Sequence, residues 1–327
     1  MNEDELLRAV GRLPRSIEPP RDLWPGIEPR LRRRRHWYWI PLAVAAVLAL
    51  VVIARSIQTQ PAWDVTMLAG RPLLGNTRLA ASGRLRVGDW LQTDDSSRAL
   101  IAIGHIGQVE VKPGTRLQLV AARRDDHRLA LARGGIDATV DAVPRLFFVD
   151  TPAGTAIDLG CAYTLETDSL GNGRLHVTRG EVAFETGPRS SRVLLGAIIQ
   201  TRPAIGPGIP YVEDAPGPLV RALVAFDFEN GGARAARTIL ALARAQDAMS
   251  LWHLLQRVDP TLRAMVYDRL AALVPPPPGV TRSRAIALDS RALEGYWTKI
   301  HGIHFRRMIL RGVREIDPRT GTTRRHE

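Results

Sequence analysis

The run of residues 37–54, WYWIPLAVAAVLALVVIA, restricts what this chain can fold into more than any other feature, because its 18 residues carry no charge. An α-helix of that length spans roughly 27 Å at about 1.5 Å per residue, close to the hydrocarbon thickness of a bilayer. A buried helix in a soluble core is the alternative, but such helices normally keep a polar stripe. The sequence therefore predicts a transmembrane helix over residues 37–54.

Arginines on one side of this run predict its orientation. The residues that orient the span are Arg32, Arg33, Arg34 and Arg35. On the other side Arg55 is the one charge before Asp64. Because the flank with excess arginine stays in the cytoplasm, we expect the N-terminus inside and residues from about 56 outside. A cleaved signal peptide fits poorly, since a long segment precedes the run and no A-x-A site follows it.

The charge balance bears on partners. Across 327 residues there are 45 Lys and Arg against 33 Asp and Glu, a net charge of +12. Such a balance is typical of nucleic-acid binding. Here part of it is the orienting arginine run, which faces the lipid bilayer, and most of the chain is expected outside the cytoplasm. We therefore expect no nucleic-acid partner.

Residues 1–36 are predicted to form a short cytoplasmic segment. Its proline-rich, mixed-charge part cannot bury a core of its own. Leu23, Trp24 and Ile27 are apolar residues in that part with nothing local to cover them. Two interpretations remain open: a disordered tail, or a docking segment in which these three residues bind a cytoplasmic partner.

Residues 57–190 are predicted to form an all-β domain, either a sandwich or roll or a short β-solenoid. Short apolar runs alternate with polar residues and end at Gly, Pro or Asn-Gly turns. The predicted strands are 98–103, 108–112, 116–120, 128–132, 136–140, 146–151, 155–159, 162–167, 174–178 and 181–185. Residues 191–218, rich in Gly and Pro, are predicted to be a linker.

Residues 219–314 change to a helical period and are predicted to form a C-terminal α-helical module. Asp259-Pro260 is typical of an N-cap followed by proline at the first helical position. Asp289 or Ser290 is expected to cap a further helix. Residues 315–327 are predicted to be a flexible tail.

Five segments of the β region occur in the order and spacing of one known family. They are VGDWLQTDDSSRALIAI (87–103), VEVKPGTRLQLV (109–120), LALARGGIDATV (129–140), FFVDTPAGTAIDLGCAYTLET (147–167) and LHVTRGEVAFE (175–185). Together they resemble the FecR-like family of single-span membrane signal-relay and anti-sigma-type proteins. The resembling stretch covers about 100 residues.

The resemblance implies a bacterial inner-membrane protein with a periplasmic β domain, acting in signal transduction and transcription regulation. It implies a sigma factor or other cytoplasmic regulator as one partner and a periplasmic or outer-membrane protein as another. The chain departs from the family in its short cytoplasmic part and its helical C-terminus. It also carries Cys161 where the family most often has Thr in L-G-T, and a buried thiol is expected there.

The motifs themselves are predicted to be scaffold. Their glycines are expected at strand ends where a turn needs a positive φ; they are Gly88, Gly114, Gly134, Gly160 and Gly180. No G-x-S-x-G, P-loop or H-E-x-x-H motif occurs. His301 and His304 approach a metal-ligand spacing, but no carboxylate or cysteine is placed in the sequence to complete a metal site with them. We expect no catalytic site, metal or cofactor, and hence no enzyme.

These observations favour one function and leave two others. The first is relay of an extracytoplasmic signal to a cytoplasmic regulator, plausibly a sigma factor, through protein–protein binding. The second is an envelope scaffold or binding protein with no signalling role. A membrane-anchored enzyme is third, because the sequence shows no catalytic set.

Overall fold

The computed structural model describes residues 61–310 and, separately, Ala45. The chain divides into two compact units, residues 1–60 and 61–327, and the residues 61–310 all belong to the second. The expected cytoplasmic segment, most of the expected transmembrane run and the expected tail lie outside the described residues. Within the described part of the chain, no helix is long and apolar enough to cross a bilayer.

Eighteen strands fill the first part of residues 61–310. They are β1 (Ala62–Ala69), β2 (Leu73–Leu74), β3 (Thr77–Arg78), β4 (Ser82–Arg86), β5 (Trp90–Gln92), β6 (Arg98–Ile103), β7 (Gly107–Val111), β8 (Arg116–Arg123), β9 (Asp126–Val140), β10 (Phe147–Thr151), β11 (Gly154–Asp158), β12 (Ala162–Thr167), β13 (Gly173–Arg179), β14 (Glu181–Thr186), β15 (Arg189–Leu194), β16 (Ala197–Arg202), β17 (Gly206–Pro207) and β18 (Tyr211–Val212).

Helices follow the strands, so the predicted order of an all-β region and then a helical part is confirmed. They are α1 (Gly217–Phe228), α2 (Gly232–Leu242), α3 (Ala248–Arg257), α4 (Pro260–Leu273), α5 (Arg282–Ile286) and α6 (Ser290–Leu310), with a 3₁₀ turn at Ala245–Asp247. Asp259 accepts from the Thr261 N–H (3.0 Å) and caps α4, as its sequence predicts. Asp289 likewise accepts from the Ala292 N–H (2.9 Å) at the start of α6.

Two sheets share the long strand β9. Its first half pairs with β8 and, in parallel, with β10, while its second half pairs with β7 and β12. One sheet runs β4-β1-β6-β7-β9-β12-β13-β16, with β17 and β18 both on β16. The other runs β3-β2-β5-β8-β9-β10-β11-β14-β15. We call them the first and the second sheet.

The strands form because their apolar residues recur at every second position and share one face. In β6, Ala99, Ile101 and Ile103 are fully buried, while Arg98 and Ala102 are exposed. Buried side chains of both sheets and of the helices belong to one contiguous core. The predicted bounds of β6 and β12 agree with the structure, and the five motif glycines all have positive φ. Four of them lie between strands as expected, but Gly134 lies inside β9, so its expected place at a strand end is wrong.

The expectation of a linker over residues 191–218 needs correction. That stretch contains the end of β15 and all of β16, β17 and β18. In β16, Ala197, Ile198 and Ile199 are buried, and the strand pairs with β13 on one side and with β17 and β18 on the other. Of the glycines and prolines that suggested a linker, Gly196 and Pro203 lie in turns between these strands, while Gly206 and Pro207 form β17 itself.

Candidate functional site

The residues proposed from sequence for partner binding and membrane orientation are not brought together by the described structure. Leu23, Trp24, Ile27 and the four arginines Arg32, Arg33, Arg34 and Arg35 lie outside the described residues. Within residues 61–310, buried and half-buried polar and charged side chains come together where the helices cover β15, the edge strand of the second sheet. We call this region the seam; its main residues are Asp227, Arg189, Arg257, His253 and Arg192. Sequence reasoning missed it, because its members are far apart along the chain.

Asp227 on α1 is the centre of the seam. Its side chain is 2% exposed and accepts from the guanidinium groups of Arg189 and Arg257, the latter at 2.9 Å. Its second oxygen accepts from the Ile209 N–H (2.6 Å). A buried carboxylate needs such partners, because the desolvation of an unpaired charge is costly. Asp227 therefore joins the sheet to α1 and α3.

Arg257, the last residue of α3, extends this contact along the edge strand. Its Nη2 donates to the Ser190 carbonyl (2.9 Å) and to the Ser191 hydroxyl (2.7 Å). Burial lowers the pKa of Arg257 to about 10, and the carboxylate of Asp227 opposes that shift. Arg257 therefore stays charged at neutral pH and donates on both sides of the seam.

His253 on α3 binds the backbone amide of Arg192 on the edge strand. Its Nε2 accepts from the Arg192 N–H (3.0 Å), and its Nδ1–H donates to the Met249 carbonyl (2.9 Å). Burial lowers the pKa of His253 to about 3, so the ring is neutral and keeps this acceptor. Exposed edge strands invite pairing with other chains. Here the His253 side chain of α3 binds the Arg192 amide of β15, so that amide cannot pair with another strand.

The side chain of Arg192 completes the seam on the other side. Its guanidinium donates to Glu181 (2.6 Å) and to Glu294 (2.9 Å), and its carbon lies 4.5 Å from the ring centre of Trp297. The rings of Trp297 and Trp252 are 4.6 Å apart. A cation held over an aromatic face and between two carboxylates fixes α6 against the sheet.

Cys161 is fully buried, as its sequence context predicts, and it lies beside a carboxylate that sequence reasoning missed. Its thiol contacts Asp158, which also accepts from the N–H groups of Gly160 (3.0 Å) and Cys161 (3.2 Å). Burial raises the pKa of Asp158 to about 6, against the opposing hydrogen bonds and Arg179. Burial also raises the pKa of the thiol, which makes it a weak nucleophile.

His301 and His304 face different partners in the structure. The Nε2–H of His304 donates to the Leu195 carbonyl (2.6 Å), while the Nε2 of His301 is 4.0 Å from Glu181. Among residues 61–310 there is no group of three or more His, Cys, Asp or Glu side chains arranged to hold a metal ion.

Comparison with known proteins identifies no family for this chain. No family model matches the chain. No curated protein matches it either. Among solved structures, two crystal structures of a "putative anti-sigma factor" from Parabacteroides distasonis ATCC 8503 align with 17% identity and a TM-score of 0.34 over 41% of this chain. The chain covers 64% and 63% of those structures, less than two thirds of each. A likeness at this level establishes neither family nor function.

Proposed function

We propose that this protein is a single-pass inner-membrane FecR-domain protein that relays an extracytoplasmic signal to a cytoplasmic regulator, plausibly a sigma factor. The observation that carries the proposal is the ordered set of five FecR-like segments between residues 87 and 185, preceded by the uncharged run 37–54 and its arginine flank. The proposal includes a periplasmic location for the β and helical parts and assigns the protein no catalytic activity.

The conformation of the motif residues supports a scaffold role for these segments. Gly180, in the last segment, has a φ of +71°, and a side chain there would collide with the Gly160 carbonyl of the neighbouring turn. Only glycine fits such a place without strain. The motifs thus maintain the sheet, and partner binding falls to the surfaces that the sheet supports.

The mechanism that we propose is coupled binding. A periplasmic or outer-membrane partner would bind the β and helical parts, and this would change how residues 1–36 are presented on the other side of the bilayer. Such coupling is a free energy shared between two sites, so occupation of either site changes the affinity of the other. Leu23, Trp24 and Ile27 are the residues proposed to contact the regulator.

Co-purification tests the relay. Full-length protein is isolated from membranes and its bound proteins are identified by mass spectrometry, beside a variant in which Leu23, Trp24 and Ile27 are all changed to alanine. We expect a sigma factor or another transcription regulator with the natural chain and its loss with the triple variant. Three buried apolar anchors would account for most of the binding energy of such an interface.

The matched control is a triple alanine variant of Ser16, Glu18 and Arg21, polar residues of the same segment. It should retain the regulator. If the natural chain recovers no regulator, or if both triple variants lose it equally, the relay proposal fails. Unchanged transcription and localisation after replacement of residues 2–28 by an unrelated sequence would favour the envelope scaffold, in which the short segment serves insertion alone.

A further inference from the structure

A cavity of about 670 Å³ opens at one end of the seam, between β15 and the ends of α1, α2, α3 and α4. This volume is within the range of small-molecule sites in proteins. Its side chains are charged, polar and apolar: the cations Arg189, Arg237 and Arg257, the anions Asp227 and Asp259, the polar residues Asn230 and Thr261, and the apolar residues Phe226 and Leu262. Asp259 also caps α4.

Both carboxylates of this cavity accept hydrogen bonds from other residues of the protein. Asp227 accepts from Arg189, Arg257 and the Ile209 amide, and Asp259 accepts from the backbone and hydroxyl of Thr261. Asp227 is matched by two arginines, whereas Asp259 has only neutral hydrogen-bond donors and keeps its negative charge. The three arginines of the cavity exceed these two carboxylates by one positive charge, which is available to a ligand.

The available charge is on Arg237 and, in part, on Arg189. Arg237 is exposed on α2, and its side chain makes no hydrogen bond or ion pair with any of residues 61–310. Arg189 uses Nε for the Pro207 carbonyl (2.8 Å) and Nη2 for Asp227. An arginine has five N–H donors. Neither contact uses the Nη1 group of Arg189, which has no acceptor within the described part of the chain.

The start of α2 adds to this positive character. Gly232 and Ala233 line the cavity, and the N-cap residue Gly231 provides no side-chain acceptor for the first amides of α2. These amides have no partner within the helix, and the helix dipole favours an anion beside them. They supplement the arginines, which carry the argument.

We propose that this cavity binds a small ligand that carries an oxyanion, a carboxylate or a phosphate, next to an apolar group. The oxyanion would accept from Arg237 and from the Nη1 group of Arg189, in the paired geometry that guanidinium groups favour. The apolar group would pack on Phe226 and Leu262. The cavity shares Arg189, Asp227 and Arg257 with the seam, so a bound ligand would contact residues that join the helices to β15. The assignment is independent of the relay proposed above.

Isothermal titration calorimetry of the full-length protein in detergent tests this site, with phenyl phosphate, benzoate and uncharged benzyl alcohol as probes. We expect at least one anion to bind and the alcohol not to bind. The anion that binds more tightly indicates whether the site prefers a phosphate or a carboxylate. Arg237→Gln should weaken that binding by about tenfold, as expected for loss of a charge-assisted hydrogen bond.

Arg234→Gln is the matched control, because Arg234 is exposed on the same helix and does not line the cavity. It makes the same change of charge and should leave the affinity unaltered. The proposal is overturned if neither anion binds at millimolar concentration. It is also overturned if the two variants weaken binding equally, since that result would indicate attraction by overall charge.

Discussion

Asp158 has no exposed surface, although a carboxylate ionises most easily in water. It lies at the end of β11, where it orders the turn through the N–H groups of Gly160 and Cys161. Those hydrogen bonds favour the ionised form, but burial outweighs them, and the pKa rises from the ordinary 3.8 to about 6. The residue is therefore a titrating group inside the core.

The sign of its effect on stability follows from proton binding. Between pH 4 and pH 6 the folded chain holds this proton more tightly than the unfolded chain does, because the folded pKa of Asp158 is the higher one. The free energy of unfolding should therefore fall as pH rises through this range, by on the order of 3 kcal/mol, and level off above about pH 6. Urea unfolding at several pH values measures this slope.

Asp158→Asn should abolish this contribution, because the amide has the shape of the carboxylate and does not titrate. Asp168→Asn is the control. Asp168 lies in an exposed turn, where hydrogen bonds from Asn172 hold its pKa below the ordinary value, so its titration cannot make the free energy of unfolding fall as pH rises. A slope that persists unchanged in Asp158→Asn would show that other groups cause it.

Among the elements, β9 shows what a sequence pattern can and cannot specify. Its alternation predicts strands at 128–132 and 136–140, and both are present, but as one strand without a break. Gly134 has a φ of +90°, and a side chain there would overlap Thr115. The glycine pair thus marks the place where a single strand bends from the second sheet into the first. Alternation indicates which face is buried, but it does not indicate which sheet a strand joins.

The seam of α1 and α3 with β15 could not be predicted for a related reason. Asp227, Arg189 and Arg257 come from three elements, and each is a charged residue of a type that usually lies in solvent. Their pairing arises only when tertiary packing removes water from them. Short polar motifs that act within one turn, such as the Asp259 cap, are predictable because both partners are neighbours in sequence.

Asp227→Asn should weaken the packing of the helices on the sheet. The change keeps the shape of the side chain but leaves the charges of Arg189 and Arg257 without their carboxylate. Loss of one partner from a buried ion pair costs about 3–5 kcal/mol, and we expect the free energy of unfolding in urea to fall by about that amount.

Asp268→Asn is the matched control, because its partner Arg282 and Asp268 itself are both 55% exposed. An exposed pair contributes little, so this variant should unfold nearly as the natural chain does. Equal destabilisation by the two variants would contradict the central place of Asp227 in the seam.

For the whole molecule, the proposed crossing of a bilayer rests on residues outside the described part of the chain. The sequence predicts one crossing over residues 37–54, with Arg32, Arg33, Arg34 and Arg35 on the cytoplasmic side. It also predicts correctly that a β part precedes a helical part. The sequence did not predict that the described strands and helices belong to one compact unit, since contacts that join them, such as Arg192 with Glu294, link residues far apart in sequence.

Alkaline phosphatase fusions test this arrangement, because the enzyme is active only outside the cytoplasm. A fusion after residue 56 should be active, and a control fusion after residue 36 should be inactive. Replacing Arg32, Arg33, Arg34 and Arg35 with glutamine should reduce the activity of the longer fusion, since these arginines hold their flank inside. A longer fusion that is inactive but recovered in the membrane fraction would reverse the predicted orientation. A longer fusion that is inactive and recovered in the soluble fraction would remove the crossing, and with it any route by which a periplasmic partner could influence residues 1–36.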